Sequence, residues 1–421
     1  MTSVLQFFSL ENRRVLSNAF YLSLMQVANF GLPLLTVPYL IRMLGVELFG
    51  MLAFVSAVMN YVSVIIDYGF NLTAARDVAC NRDDLYTLNL LFNNIQTFKS
   101  CLITFSVIIL ALINWKTDFL HEYAALYWLT FFSIVVNAYF PTWFFQGIEK
   151  MHFVSMINIL SKLVFTVGVF VFVRDKNDYL LVPFLAMVGA MIPLLISIWL
   201  LTNRFGLRFQ KPNLFFLKKL MITSWYVFLS QLKITLFSST NIVLLGMISG
   251  PIAVGYYVAA EKVMRALALA QSPITNALFP FIAKKMQENK SGAISLLKKI
   301  SFLGSGIYIL VLSLFFYFSN YLVVLLYSDT MEASVWVLKV ILIVPLLIFL
   351  NNIFGTQILL NTGRDKSFFY VLLFAAVLSL SLCFILTYYF SYQGTAIALL
   401  VTELFIVIAF FFLVRKDLLY A

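Results

Sequence analysis

The chain has 421 residues, of which 62% are hydrophobic and only 11% charged, and its mean hydropathy is +0.96. That balance argues against any soluble domain of ordinary size and points to an all-α integral membrane protein. The net charge of +11 does not make a nucleic-acid surface, because the cations are spread over many short loops, where they suit anionic lipid instead.

Apolar runs of about 20 residues, the length that crosses a hydrocarbon core, follow one another throughout and predict about twelve helices. The first, 15–41, carries Asn18, Gln26, Asn29 and Thr36 at compatible helical spacing, together with Pro33 and Pro38. The second, 48–70, carries a polar stripe of Ser56, Asn60, Ser63 and Asp67 that continues to Asn71. After a loop at 71–87 come runs at 88–113, with Lys99, at 123–145, at 153–173, with Lys162, and at 180–201. A break at 202–219 precedes 220–247, which holds Gln231, Lys233, Thr235 and Ser238. The run 254–282 is the most charged, with Glu261, Lys262 and Arg265, and Pro273 and Pro280 are expected to loosen it by removing backbone hydrogen bonds. A loop at 283–299 leads to 300–326, 335–360, 367–390 and 394–414.

The chain also matches itself. Arg13, Arg14, Tyr21, Gln26, Gly45 and Gly50 stand opposite Lys218, Lys219, Tyr226, Gln231, Gly250 and Gly255, a gap-free offset of 205 residues (Gly50 to Gly255). The same offset carries the stripe Ser56, Asn60, Ser63, Asp67 and Asn71 onto Glu261, Arg265, Ala268, Ser272 and Asn276. Two homologous halves, 1–210 and 211–421, are therefore expected, as pseudo-symmetric six-helix lobes around a central polar, cationic cavity.

Nearly all loop Lys and Arg fall on one side, from Arg76 and Arg82 through Lys284 and Lys285 to Arg415 and Lys416, whereas the other side holds Arg42, Lys116, Arg174 and Lys176. This asymmetry predicts that both termini are cytoplasmic. Cys80, Cys101 and Cys383 are an odd number at unrelated positions, and His121 and His152 are lone loop residues, so no disulfide framework, metal site or cofactor is expected. No phosphate-binding G-x-x-x-x-G-K-[ST] loop is present, and an enzyme is not expected.

Cations within apolar runs are costly, about 2.5–3.5 kcal/mol each at a helix centre, and so mark either function or pairing. Lys99 and Lys339 lie near helix ends and are expected to reach the interface. Lys162 and Lys233 sit nearer the middle of their runs, where they line a cavity or pair with an unseen partner. Glu261 and Arg265 are four apart in the favourable order for an intrahelical pair, and Lys262 adds a cation that one carboxylate does not also neutralise.

Five blocks, LIRMLGVELFG (40–50), DYGFNLTAARDVA (67–79), WFFQGIEKM (143–151), YYVAAEKVMRALALAQSPITNALFPFIAKK (256–285) and LLNTGRDKSF (359–368), together resemble the Wzx-type O-antigen flippases. These belong to the polysaccharide transporter branch of the multidrug/oligosaccharidyl-lipid/polysaccharide exporter superfamily. The resemblance implies a protein of the bacterial inner membrane that moves an undecaprenyl-diphosphate-linked oligosaccharide from the cytoplasmic to the periplasmic leaflet by alternating access. It further implies coupling to H⁺ or Na⁺ and a functional association with the polymerase and chain-length regulator of polysaccharide assembly.

For such a substrate, Arg265, Lys262 and Lys233 are the expected contacts to diphosphate or acidic sugars, with Lys162 lining the cavity. Asn60, Gln26 and Gln231 would contact sugar hydroxyls, and Arg42 would serve the periplasmic mouth. Asp67 and Glu261 are the expected ion-coupling carboxylates. The alternatives are a small-molecule or multidrug antiporter of the same superfamily, disfavoured by the excess of Lys and Arg over acids in the helices, and a membrane-embedded glycan polymerase.

Overall fold

A computed structural model describes residues 10–116 and 122–419, with side chains from residue 24 onward except those of 30, 116, 237, 238, 273, 276, 277 and 419. The side chains of Arg13, Arg14, Asn18, Tyr21, Lys116, Ser238 and Asn276, and all of His121, lie outside the described residues. Among the described residues the regular structure is helical, and nine helical stretches are long and apolar enough to cross a membrane.

The chain begins with α1 (Leu10–Asp67), two helices joined at Gly45, whose φ of 81° and ψ of 169° only glycine adopts without strain. Next come α2 (Phe70–Cys80), α3 (Leu85–Lys116), α4 (Ala124–Tyr139), α5 (Thr142–Gly147), α6 (Met151–Phe172) and α7 (Leu181–Asn203). A non-helical linker leads to α8 (Leu214–Leu269), which breaks at Gly250 with φ 80° and ψ 178°. Then follow α9 (Ser272–Glu288), α10 (Lys290–Tyr317), α11 (Ser319–Leu326), α12 (Glu332–Ile341), α13 (Val344–Asn351), a π-helix Asn352–Leu359, and α14 (Asp365–Leu419), broken at Ser391.

The internal repeat reappears as local structure. Gly45 and Gly250, one offset apart, make the same backbone break. Asp84 and Asn289, also one offset apart, both cap helices through side-chain oxygens: Asp84 Oδ1 accepts from the Thr87 amide at 3.2 Å, and Asn289 Oδ1 from the Gly292 amide at 2.8 Å. Consequently α3 and α10 start at equivalent positions, Leu85 and Lys290.

Packing divides the chain into two compact units, one of residues up to Thr36 with Val55–Ser239, the other of Val37–Phe54 with Thr240 onward. The repeat halves meeting at 210/211 are a statement about sequence equivalence, and the packing units cut the chain elsewhere: 37–54 belongs with the second unit and 211–239 with the first. Within the second unit, Gly50 and Gly255 let equivalent helices touch reciprocally. A Cβ on Gly50 would lie 1.9 Å from the Pro251 carbonyl oxygen, and one on Gly255 2.4 Å from that of Val46.

The first unit is built around Phe70, Ala74, Val78, Leu91, Ile95 and Trp143, where α2 lies against α5. The second gathers Ile282, Ile294, Leu297, Ile358 and Phe410, with Phe368 stacked on Phe410 at 5.3 Å. Outside these cores apolar side chains are widely uncovered, Phe302, Leu310 and Phe374 among them, and only 6% of the most apolar window of the Lys290–Tyr317 span is buried. Such a surface is stable against lipid rather than water, and the chain is a multi-pass membrane protein.

Three expectations are corrected. The segment expected as a loop at 71–87 is largely helix α2, because Phe70, Ala74 and Val78 form one apolar face that packs inward. The loop expected at 283–299 is mostly the end of α9 and the start of α10. Pro273 does not loosen the middle of a helix: the chain turns at 270–271 and Pro273 sits in the first turn of α9, where its missing N–H has no helical partner to lose.

Candidate functional site

In the second unit the charged groups of α8 form a directed pair. One helical turn separates Glu261 from Arg265, so the Arg265 Nη2 and Nε donate to the same Glu261 Oε1 at 2.7 and 2.9 Å. Glu261 is only 4% exposed while the Arg265 side chain is 46% exposed, and the guanidinium keeps further N–H groups beyond the two that bond the carboxylate. Lys262, one residue on, is exposed. A second carboxylate, Glu403 of α14, is buried, accepts from Asn351 Nδ2 at 2.7 Å and lies close enough to Arg265 to feel its charge.

Beside this cluster runs the π-helix, whose wider turns admit Gln357. Its Nε2 donates to the Thr275 carbonyl at 3.0 Å and to Asn352 Oδ1 at 3.2 Å, while its Oε1, like Asn351 Oδ1, is buried with no protein partner. Arg42, also in this unit, donates to the Leu325 carbonyl at the C-terminal end of α11, where a cation complements the helix dipole.

The first unit holds an ion pair between helices. Asp67, the last residue of α1, meets Lys99 of α3 at 3.2 Å, and Lys99 also donates to the Ala138 carbonyl at 3.0 Å. Lys99 is 2% exposed, which corrects the expectation that it reaches the interface: its neighbours α1 and α4 supply an anion and a carbonyl, so it stays inside. Tyr68 follows Asp67 with a positive φ of 49° and stacks on Phe228 at 4.9 Å, closing an aromatic face over the pair's end of the helix. Asn60 Nδ2 donates to Ser239 Oγ at 3.0 Å. Gln26, Gln231 and Lys162 are partly buried, and Lys233 is exposed.

Of the residues expected from sequence, Gln26, Asn60, Asp67, Lys162, Gln231 and Lys233 therefore lie in the first unit, and Arg42, Glu261, Lys262 and Arg265 in the second. Two polar features were missed. One is Glu403 with Asn351 and Gln357, although an acid inside the run ALLVTELFIVIAF is itself a signal. The other is an asparagine ladder on α3: Asn89 Oδ1 accepts from the Arg208 amide at 2.6 Å, Asn93 Oδ1 from Gln210 at 2.8 Å and Asn94 Oδ1 from Asn213 at 3.0 Å. Three side-chain amides thus hold the linker after α7 much as a strand edge would. The spacing 89, 93, 94 on one helix face was the readable sign.

Outside the membrane-spanning segments, Asp84 is held below the ordinary carboxylate range by hydrogen bonds from the Thr87 hydroxyl, the Thr87 amide and the Tyr86 amide. Among the described residues no group of His, Cys, Asp and Glu is arranged to hold a metal ion.

Residues 15–286 match the family model described as "Polysaccharide biosynthesis protein". A protein of Escherichia coli (strain K12) named "Putative O-antigen transporter" is 32% identical over 404 residues, covering 95% of this chain and 96% of its own length. Another of that name, from Shigella dysenteriae, is 28% identical over 397 residues, 93% of this chain and 98% of its own. Among solved structures, an inward-facing multidrug resistance MATE family transporter of the MOP superfamily aligns with a TM-score of 0.73 at 13% identity, covering 94% of this chain and 95% of that one. The lipid II flippase MurJ in an inward closed conformation aligns with a TM-score of 0.65 at 13% identity, covering 94% and 89%. At that identity the two structures establish a shared all-helical transporter fold, and the sequence matches establish kinship: the chain belongs to the polysaccharide biosynthesis protein family.

Proposed function

We propose that this protein is a flippase that carries a polyprenyl-diphosphate-linked oligosaccharide, of the O-antigen repeat-unit class, from the cytoplasmic to the periplasmic leaflet of the bacterial inner membrane. The observation that carries the reading is the similarity to proteins named as O-antigen transporters over 93–95% of the chain. The flippase among the structural neighbours supports it.

The chemistry of the substrate suits the charged groups on these helices. Its diphosphate cannot cross hydrocarbon unaided, its sugars need hydroxyl-matching walls, and its tail remains in lipid. The remaining N–H groups of Arg265, with Lys262 and Lys233, are the anion contacts; Asn60, Gln26 and Gln231 offer amides to sugar hydroxyls, and Lys162 adds a cation along the path. The Glu261 pairing tempers Arg265, so that it holds a phosphate without trapping it, as release at the far leaflet requires. Arg42, engaged with the end of α11, serves the periplasmic mouth. Alternating exposure of these faces to the two sides moves the headgroup, driven by H⁺ or Na⁺ exchange at Asp67 and Glu261, where displacing the paired cation changes the carboxylate's affinity for the ion. Both termini are cytoplasmic in this scheme.

The test is translocation of a fluorescent polyprenyl-diphosphate oligosaccharide in proteoliposomes. Wild-type movement that Arg265→Ala abolishes in folded protein is expected. If no lipid-linked sugar moves while a small organic cation does, the multidrug-type reading of the shared fold replaces this one.

A further inference from the structure

The first unit contains a cavity of about 580 Å³, walled by α3, the α4–α5 junction and α7 and completed by linker residues 209–211. That size falls within the roughly 300–1,000 Å³ of small-molecule sites. Its α3 wall is one helix face, from Phe92 through Gln96 to Ser100, which runs from about 10 to about 22 Å along the helix from Leu85 at 1.5 Å per residue. Lys211, on the linker after α7, is the cation on its lining.

The walls are chemically divided. Phe92 and Leu194 are apolar, whereas Ser100 Oγ and Tyr139 OH share a hydrogen bond of 2.8 Å and expose further hydroxyl capacity. Gln96 donates through Nε2 to the Tyr139 carbonyl at 3.2 Å, which fixes its amide orientation, since the flipped form would set oxygen against oxygen. Its Oε1 is left buried with no protein partner and needs a donor. Lys211 borders the same space and is in no ion pair among the described residues.

A cavity recurs in the second unit at repeat-equivalent positions. Leu297, Lys298, Ser301, Phe302 and Ser305 of α10 line a space of about 330 Å³ and stand one offset of 205 from Phe92, Asn93, Gln96, Thr97 and Ser100. Each cavity has one lysine on its lining, but at non-equivalent positions: Lys211 of the linker in the first, and Lys298, which stands opposite Asn93, in the second. A feature built twice by the same helix face is part of the fold's plan rather than a packing accident.

We propose that the first-unit cavity binds the headgroup of an anionic membrane amphiphile that carries free hydroxyls, with the phosphate at Lys211, a hydroxyl at the polar wall of Gln96, Ser100 and Tyr139, and the proximal chain against Phe92 and Leu194. Two sources share that chemistry: phosphatidylglycerol of the bilayer, and the phosphate-and-sugar end of a lipid-linked glycan. A zwitterionic headgroup brings an ammonium toward Lys211, and phosphatidic acid has no hydroxyl-bearing glycerol to offer Gln96.

Native mass spectrometry of the full-length protein in detergent, titrated separately with phosphatidylglycerol, phosphatidylethanolamine and phosphatidic acid, tests the assignment. Phosphatidylglycerol is expected to bind most tightly, and Lys211→Gln, an exposed position that the fold tolerates, to weaken it about fivefold, the effect of one lysine near an anionic headgroup. Gln96→Leu is expected to remove the preference for phosphatidylglycerol over phosphatidic acid, and Ser100→Trp to fill the space. A polyprenyl-phosphate sugar that competes with phosphatidylglycerol and loses affinity in the same variants assigns the site to the glycan lipid, and one that does not compete assigns it to the bilayer lipid. Equal binding of phosphatidylglycerol and phosphatidylethanolamine, or phosphatidylglycerol binding unchanged by both Lys211→Gln and Gln96→Leu, overturns the proposal. Because Arg265-dependent translocation is read in a separate assay, failure here leaves the flippase reading standing.

Discussion

The Asp67–Lys99 pair is asymmetric, and the asymmetry predicts which partner matters more. Lys99 is enclosed and would keep only the Ala138 carbonyl if Asp67 were lost, whereas the Asp67 side chain is 26% exposed and can recruit water. Asp67→Ala is therefore expected to cost more stability than Lys99→Met, toward about 3–5 kcal/mol, the usual penalty for stranding one member of a buried pair. The double variant should recover part of the loss, and thermal unfolding in detergent of all three decides it; an additive double variant would mean that the pair is not coupled. At Arg265, Lys keeps the charge but cannot donate from two nitrogens to Glu261, so Arg265→Lys should retain part of the transport that Arg265→Ala loses. Glu261 and Arg265 could be paired from their spacing alone because both lie on one helix. Lys99 could not be paired with Asp67, 32 positions away, because the partner is supplied by a different helix.

At the scale of the element, the two glycine breaks carry the clearest prediction. Nothing lies within 4 Å of a Cβ at Gly250, so Gly250→Ala tests backbone strain alone, expected at about 1–3 kcal/mol. Gly50→Ala instead drives a methyl onto the Pro251 carbonyl and should be worse, because the obstacle is backbone that cannot rotate aside. Relative melting temperatures of the two variants check the order. The cap of α3 gives a pH signature. Asp84 titrates below its ordinary range, so its contribution is fully present above that range and is lost as pH falls through the lowered folded value. Protection of the Tyr86 and Thr87 amides, measured against the intrinsic exchange rate at each pH, should fall over that acid window in the wild type and should be low at every pH in Asp84→Ala. Helix positions were legible in the apolar runs, but α2 and the breaks at 270–271 and in the π-helix were not, since they depend on which neighbour each short face meets.

For the whole molecule, the prediction is coupling. If Asp67 and Glu261 exchange the driving ion, Asp67→Asn and Glu261→Gln should uncouple translocation from an imposed H⁺ or Na⁺ gradient, leaving only equilibration of the lipid-linked sugar between leaflets. Gradient-driven accumulation that persists in both variants would remove these carboxylates from the coupling step. Glu403 is then the next group to replace, because it is the other buried carboxylate near Arg265.

Class and repeat were determined by the amino-acid sequence itself. Long apolar runs leave the backbone no alternative to helices in lipid, and an offset of 205 residues imposes equivalent caps, breaks and cavities wherever equivalent residues recur. Tertiary structure decided which charges are paired, that Asn89, Asn93 and Asn94 grip the linker, and that Gln96 keeps a buried acceptor without a protein partner. These outcomes depend on groups brought together across helices, and helical periodicity fixes only the face on which a residue stands, not the residue that faces it.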